Sequence, residues 1–118
     1  MSVTIYHNPR CSKSRETLKL IQEKGVEPTI VEYLKTPPDR QTLQEVIRQL
    51  GITPRELLRE NEEEYKQAGL DDLTLSDDDV IAAMIEHPKL IERPIVIHDG
   101  KAIIGRPPVK ALDILPEN

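Results

Sequence analysis

The sequence predicts an α/β fold, a four-stranded mixed sheet with flanking helices and a helical insertion between a βαβ unit and a ββα unit. Three observations predict it. Two apolar, β-branched runs, Val3-Thr4-Ile5-Tyr6 and Thr29-Ile30-Val31-Glu32-Tyr33-Leu34, stand on either side of a helical pattern. Strand, helix and strand within ~30 residues imply parallel pairing and a right-handed crossover. Ile95–His98 and Lys101–Ile104 flank Asp99-Gly100, a two-residue hairpin signal. Between these units, about 39–86, the patterns are helical.

In chain order, Asn8-Pro9 stops the first strand, because proline lacks a ladder N–H and restricts the residue before it. A helix is expected over 12–24, carried by Leu18 and Ile21 with Thr17 and Leu20 beside them, and Gly25 closes it. Ser12 or Ser14 is its expected cap. Asp39 is placed to cap a second helix whose Leu43, Val46, Ile47 and Leu50 recur at spacings of three and four, ending at Gly51. Thr53-Pro54-Arg55-Glu56 reads as a capping box with proline at N1, opening a short helix that carries Leu57 and Leu58 inward.

The acidic stretch from Glu60 to Asp72 is weakly patterned and reads as a loop, with a turn of helix near Glu63–Tyr65. Ser76 and three aspartates open another helix, with Val80, Ile81, Met84 and Ile85 on its buried stripe and Pro88 ending it. His87 falls in its last turn, where a cation is favoured. Pro107-Pro108 starts a final helix with Val109, Leu112 and Leu115 on one stripe. With the helices of about 39–86 set aside, the remainder is a thioredoxin-like arrangement. The whole chain, 1–118, is expected to form one domain with that insertion.

With no Trp or Phe and three Tyr, the core is expected to be mostly Leu, Ile and Val. The net charge of −5 argues against nucleic acid, which needs a basic face. Much of the acid is clustered at Glu60–Glu64 and Asp77–Asp79, which leaves room for a local positive pocket. One cysteine excludes an internal disulfide framework and suits a reducing cytoplasm. No basic and apolar leader opens the chain, and no stretch nears the ~20 apolar residues of a membrane span. His7, His87 and His98 with that cysteine form no metal-ligand spacing, so no metal or bound cofactor is expected.

That cysteine, Cys11, lies where the first strand hands over to the first helix. In βαβ units ligands gather at the carboxyl ends of the strands, and the amides of a helix N-terminus attract anions. A lone cysteine is more often a small buried apolar residue. This one has His7, Arg10, Lys13 and Arg15 for neighbours, and a positive, helix-terminal setting favours a reactive thiolate. Arg93 and Arg106 each precede a proline at the two ends of the expected hairpin. If the third strand runs antiparallel to the first, both arginines arrive beside Cys11, although surface ion pairing is the plain reading of any one arginine.

Taken together, Tyr6-His7-Asn8-Pro9-Arg10-Cys11 with Ser14-Arg15, Pro37-Pro38, Leu57-Leu58-Arg59, His87-Pro88, Arg93-Pro94-Ile95-Val96 and Arg106-Pro107 resemble the glutaredoxin-coupled arsenate reductases along almost the whole chain. After the cysteine this chain has Ser12-Lys13, where the best-studied members have Gly-Thr. The resemblance implies a thioredoxin-like fold with a cis Arg93-Pro94 bond. It implies reduction of arsenate to arsenite by Cys11, with His7 close to the thiolate. Arg59, Arg93 and Arg106, with Ser14, would hold the oxyanion or the product. Glutathione is the implied co-substrate and glutaredoxin the implied protein reductant.

Cys11 and Arg15 are four positions apart, which excludes the phosphatase-like loop with its six-residue Cys–Arg spacing. Two other functions compete. A glutaredoxin-like thiol-disulfide oxidoreductase fits the fold and the lone cysteine but leaves the three arginines without a role. A non-enzymatic, RNA polymerase-binding redox regulator resembles relatives that carry Cys-x-x-Cys, whereas position 14 here is serine.

Overall fold

The computed structural model describes residues 2–116. The chain groups into two compact units, one running up to Thr36 and resuming at Arg93, the other Pro37–Glu92.

The first unit holds the whole sheet. β1 (Val3–Tyr6) pairs in parallel with β2 (Thr29–Val31) and antiparallel with β3 (Ile95–His98), and β3 pairs antiparallel with β4 (Lys101–Ile104). The order is β2-β1-β3-β4, a thioredoxin-like arrangement. Its central strands supply the buried residues Val3, Ile5, Tyr6, Ile95 and Val96. β2 stops three residues short of the expected run. Its partner decides this: β1 ends at Tyr6, opposite Val31, and only the N–H of His7 reaches on to Val31 O, at 2.9 Å. Beyond that point the backbone turns, with Lys35 and Thr36 both donating to Glu32 O at 2.9 and 3.0 Å.

α1 (Ser12–Glu23) buries Ser14, Thr17 and Ile21, with Leu18 partly buried, a stripe at i, i+3, i+4 and i+7. The inward face is thus more polar than the expected Leu18-Ile21 stripe. Gly25 follows with φ +79°, the left-handed position that ends such helices. The core here joins Val3, Ile5, Ile21, Val96 and Ala111, with Ile103, Ile114 and Leu115 packed on it. The expected last helix is present as a 3-10 helix, Pro108–Asp113, but its inward face is not the expected stripe of Val109, Leu112 and Leu115. Side chains three apart eclipse on such a helix, and the row turned inward is that of Pro108 and Ala111, which leaves Val109 55% exposed. Both Arg93-Pro94 and Arg106-Pro107 are cis; the first was expected and the second was not.

In the second unit, α2 (Arg40–Leu50) is capped by Asp39, which accepts from Thr42 N at 2.8 Å, and Gly51 ends it at φ +70°. The Thr53–Glu56 capping box is present, on a 3-10 turn at Pro54–Leu57. In the acidic stretch a short helix, α3 (Glu63–Gln67), extends past the expected single turn. Arg55 anchors the chain beyond α3, donating to Leu70 O at 2.8 Å and Asp72 O at 3.1 Å. α4 (Asp77–Glu86) starts from a second box between Ser76 and Asp79 and buries Val80, Ile81 and Met84, with Ile85 only partly covered. Leu58 and Ile91 form an antiparallel bridge within this unit.

Candidate active site

The turn after β1 is built from its own polar groups. Asn8 Oδ1 accepts from Arg10 N at 3.0 Å, and Asn8 O accepts from Cys11 N at 3.0 Å, closing a tight Asx-type turn. Arg15 Nη1 donates back to Pro9 O at 3.0 Å, so this arginine braces the turn. Cys11 itself is the residue at the α1 N-cap, with Arg15 N donating to Cys11 O at 3.0 Å as the first helical bond.

No side chain caps this helix, contrary to the expectation for Ser12 or Ser14. Ser12 is exposed, and Ser14 turns inward. Its fully buried Oγ accepts from Asn8 N at 3.0 Å and shares a 2.6 Å hydrogen bond with His7 Nδ1. An uncapped N-terminus with no acidic side chain in its first turn keeps its positive end for an anion.

His7 is buried, and burial pulls its pKa below the ordinary 6.5. Glu32 opposes that shift and Arg15 adds to it. The imidazole is therefore neutral near pH 7. The sequence counted His7 among the positive neighbours of Cys11; here it acts through hydrogen bonding to Ser14.

The register brings Arg93 and Arg106 to this turn. Tyr6 lies opposite Ile95, so β3 begins beside the end of β1; Ile95 lies opposite Ile104, so the two hairpin ends are neighbours. Arg106 Nε donates to Arg93 O at 2.8 Å, and Arg106 Nη2 donates to Cys11 Sγ at 3.8 Å. Arg93 Nε is completely buried. A guanidinium fixed at one nitrogen and aimed at a sulfur with the other places positive charge where a nucleophile and an incoming oxyanion would both be negative.

A sequence profile of the ArsC family matches residues 6–114. The chain belongs to the ArsC family. Among ArsC relatives, a Haemophilus influenzae arsenate reductase is 51% identical, covering 98% of this chain and all of its own length. The Escherichia coli K12 protein YfgD is 55% identical over 96% of each chain. In three dimensions the chain matches an arsenate reductase from Vibrio cholerae with a TM-score of 0.95, at 53% identity over 98% of both chains.

The ArsC fold gathers Cys11, Arg106 and the Arg93 carbonyl at one point and sets His7 and Ser14 beneath the same turn. Arg59 belongs to the other unit. There its side chain, 18% exposed, pairs with Glu92 at 2.9 Å and Glu62 at 3.3 Å, and its backbone N–H donates to Leu90 O at 2.8 Å. Two supporting residues have structural bonds that the sequence did not reveal: Asn8, read only as a strand break, closes the turn, and Arg15, counted for its charge, braces it. Asn-Pro before the cysteine signalled a turn but not which groups would close it. His98, given no role, is a buried structural residue bonded to Ser2 O at 3.0 Å. Among the described residues no cluster of His, Cys, Asp and Glu is suited to a metal ion, and no helix is long and apolar enough to cross a membrane.

Proposed function

We propose that this ArsC protein reduces arsenate to arsenite with Cys11 as nucleophile. The observation that carries the reading is the guanidinium of Arg106, held on the Arg93 carbonyl and directed at Cys11 Sγ. A disulfide exchanger uses a cation there only to favour the thiolate, whereas an attack on H₂AsO₄⁻ also needs it to hold the oxyanion. Full-length relatives bearing the arsenate reductase name support the same reading.

In the first step the Cys11 thiolate attacks arsenic, an S–As bond forms, and an arsenate oxygen leaves as water after protonation. Arg106, Arg93 and the amides opening α1 hold the remaining oxygens. Overall, H₂AsO₄⁻ and two thiols give H₂AsO₃⁻, one disulfide and water. Cys11 is the chain's single cysteine, so the oxidised pair must come from outside. Glutathione attacks the Cys11 adduct, and a glutaredoxin completes the two-electron reduction and frees the thiol. His7 and Ser14 hold the turn in register for this chemistry. A role for Arg59 toward the anion or the product rests on the family resemblance alone. The reducing cytoplasm is the compartment that supplies such thiols.

The test is purified protein with arsenate, glutathione and glutaredoxin, coupled to NADPH-linked recycling, with Cys11→Ser as control. Arsenate-dependent NADPH consumption that Cys11→Ser abolishes is expected. Reduction of mixed disulfides without any arsenate turnover would replace this reading with the glutaredoxin-like one.

A further inference from the structure

Gly105 is buried, and there is no room for a β-carbon on it. Built on this backbone, that carbon would lie 2.8 Å from Thr17 Oγ1, 2.9 Å from Pro94 Cγ and 3.1 Å from Thr17 Cγ2. At Gly25, Gly51, Gly69 and Gly100 the same carbon meets nothing within 4 Å, and a positive φ accounts for the glycine. Gly105 has no such φ. It is glycine for space.

Neither neighbour yields easily. Thr17 is 0% exposed on α1, with its hydroxyl donating to Lys13 O at 2.7 Å, and Pro94 is buried directly before β3. The backbone is held as closely as the side chains. Gly105 N donates to Pro94 O at 2.9 Å, and Arg106 N donates to Ile104 O at 2.9 Å, forming a γ-turn centred on Gly105. The next side chain along is the guanidinium that reaches Arg93 O and Cys11 Sγ.

We propose that the contact of Gly105 with Thr17 is what positions Arg106 at Cys11, so that Gly105 and Thr17 are positioning residues of the site. α1 carries both ends of the arrangement: Cys11 at its N-cap and Thr17 on its buried face. Seating the β4 end against Thr17 therefore sets the distance from guanidinium to sulfur from the same helix that presents the sulfur. A side chain at 105 pushes the two apart. The consequence for turnover rests on the arsenate reading above; the placement of Arg106 does not.

The experiment reads that placement through the charge preference of Cys11 alkylation, comparing iodoacetate with the neutral iodoacetamide. A cation beside the sulfur raises the ratio of the two rates, and Arg106→Gln sets the value without it, about tenfold lower. Gly105→Ala is expected to bring the ratio down to that value while far-ultraviolet circular dichroism stays unchanged. Thr17→Ala, which empties the space from the helix side, is expected to lower it about threefold. The double variant Thr17→Ala with Gly105→Ala removes both Thr17 contacts and leaves the one with Pro94 Cγ, so it is expected to raise the ratio above that of Gly105→Ala alone, a non-additive cycle, while an equal or lower ratio counts against the Thr17 contact.

Thr17→Ala also keeps the test open if Gly105→Ala does not fold. A wild-type ratio in a folded Gly105→Ala protein overturns the proposal, as does an unchanged ratio in Thr17→Ala or in Arg106→Gln. The expected pattern in alkylation from a protein inactive on arsenate supports the positioning role and sinks only the substrate reading.

Discussion

Arg106 Nη2 stands 3.8 Å from Cys11 Sγ, across a sequence separation of 95 residues. The sheet closes that separation. β1 delivers the cysteine turn at its end, β3 begins beside it, and β4 returns to the same edge. A second nitrogen of the same guanidinium is spent on Arg93 O, which fixes the direction of the first.

That geometry makes arginine hard to replace. Lysine keeps the charge but cannot span the Arg93 carbonyl and the sulfur with a planar fork. Arg106→Lys and Arg93→Lys are expected to lower kcat/KM for arsenate by about 1–3 kcal/mol in transition-state terms, roughly 5- to 150-fold. Reaction of Cys11 with a neutral disulfide should barely change. Steady-state kinetics on both substrates checks this, and equal slowing of the two would point to general damage in place of a lost oxyanion contact.

Ser14 is expected to matter for stability first. Its hydroxyl serves both Asn8 N–H and the buried His7 ring. In Ser14→Ala both partners lose it, a cost of about 1–3 kcal/mol for stranded buried polar groups. Urea unfolding measures this; a midpoint unchanged from wild type would show that water replaces the hydroxyl.

His7 sets a pH dependence with a definite sign. Its folded pKa lies below the ordinary 6.5, with burial the largest cause. As pH falls through that value the unfolded chain takes up the proton first, so stability declines below about 6.5 until the folded pKa is passed. Above about 6.5 both states are neutral at this residue and it contributes no slope. The carboxylates with depressed pKa values, Asp39, Glu45, Glu56 and Asp72, act in a separate, more acidic window. Their stabilisation is present above the unfolded carboxylate range and is lost as pH falls through their folded values. Stability measured from about pH 8 to 5 should therefore slope less in His7→Asn than in wild type, the amide keeping a partner for Ser14 Oγ.

Turnover should require an added thiol. With Cys11 alone, the arsenic adduct has no internal sulfur to release it. Rapid-quench mixing with arsenate and no other thiol is expected to yield no arsenite. Stoichiometric arsenite from the monomer under those conditions would contradict the mechanism.

Local signals in the chain were enough for the elements that answer to local physics. Val3–Tyr6, the Asp99-Gly100 hairpin, the Asp39 and Ser76 caps and the Thr53–Glu56 box are each written within a few residues, because strand alternation, turn geometry and capping act over that range. The place of the cysteine was legible too, since Asn8-Pro9 ends the strand before it and the helical pattern begins after it, and Cys11 is the α1 N-cap residue. What the tertiary structure decided was everything set by a partner far along the chain. β2 stops at Val31 because β1 ends opposite it, and the final helix turns Ala111 inward because that residue packs into the core of Val3, Ile5, Ile21 and Val96. His7 is neutral because the fold buries it, and Ser14 serves that buried ring instead of capping the helix. The crowding at Gly105 could not be read in advance, because the side chains that exclude a β-carbon there belong to Thr17 and Pro94, and only folding brings the three together.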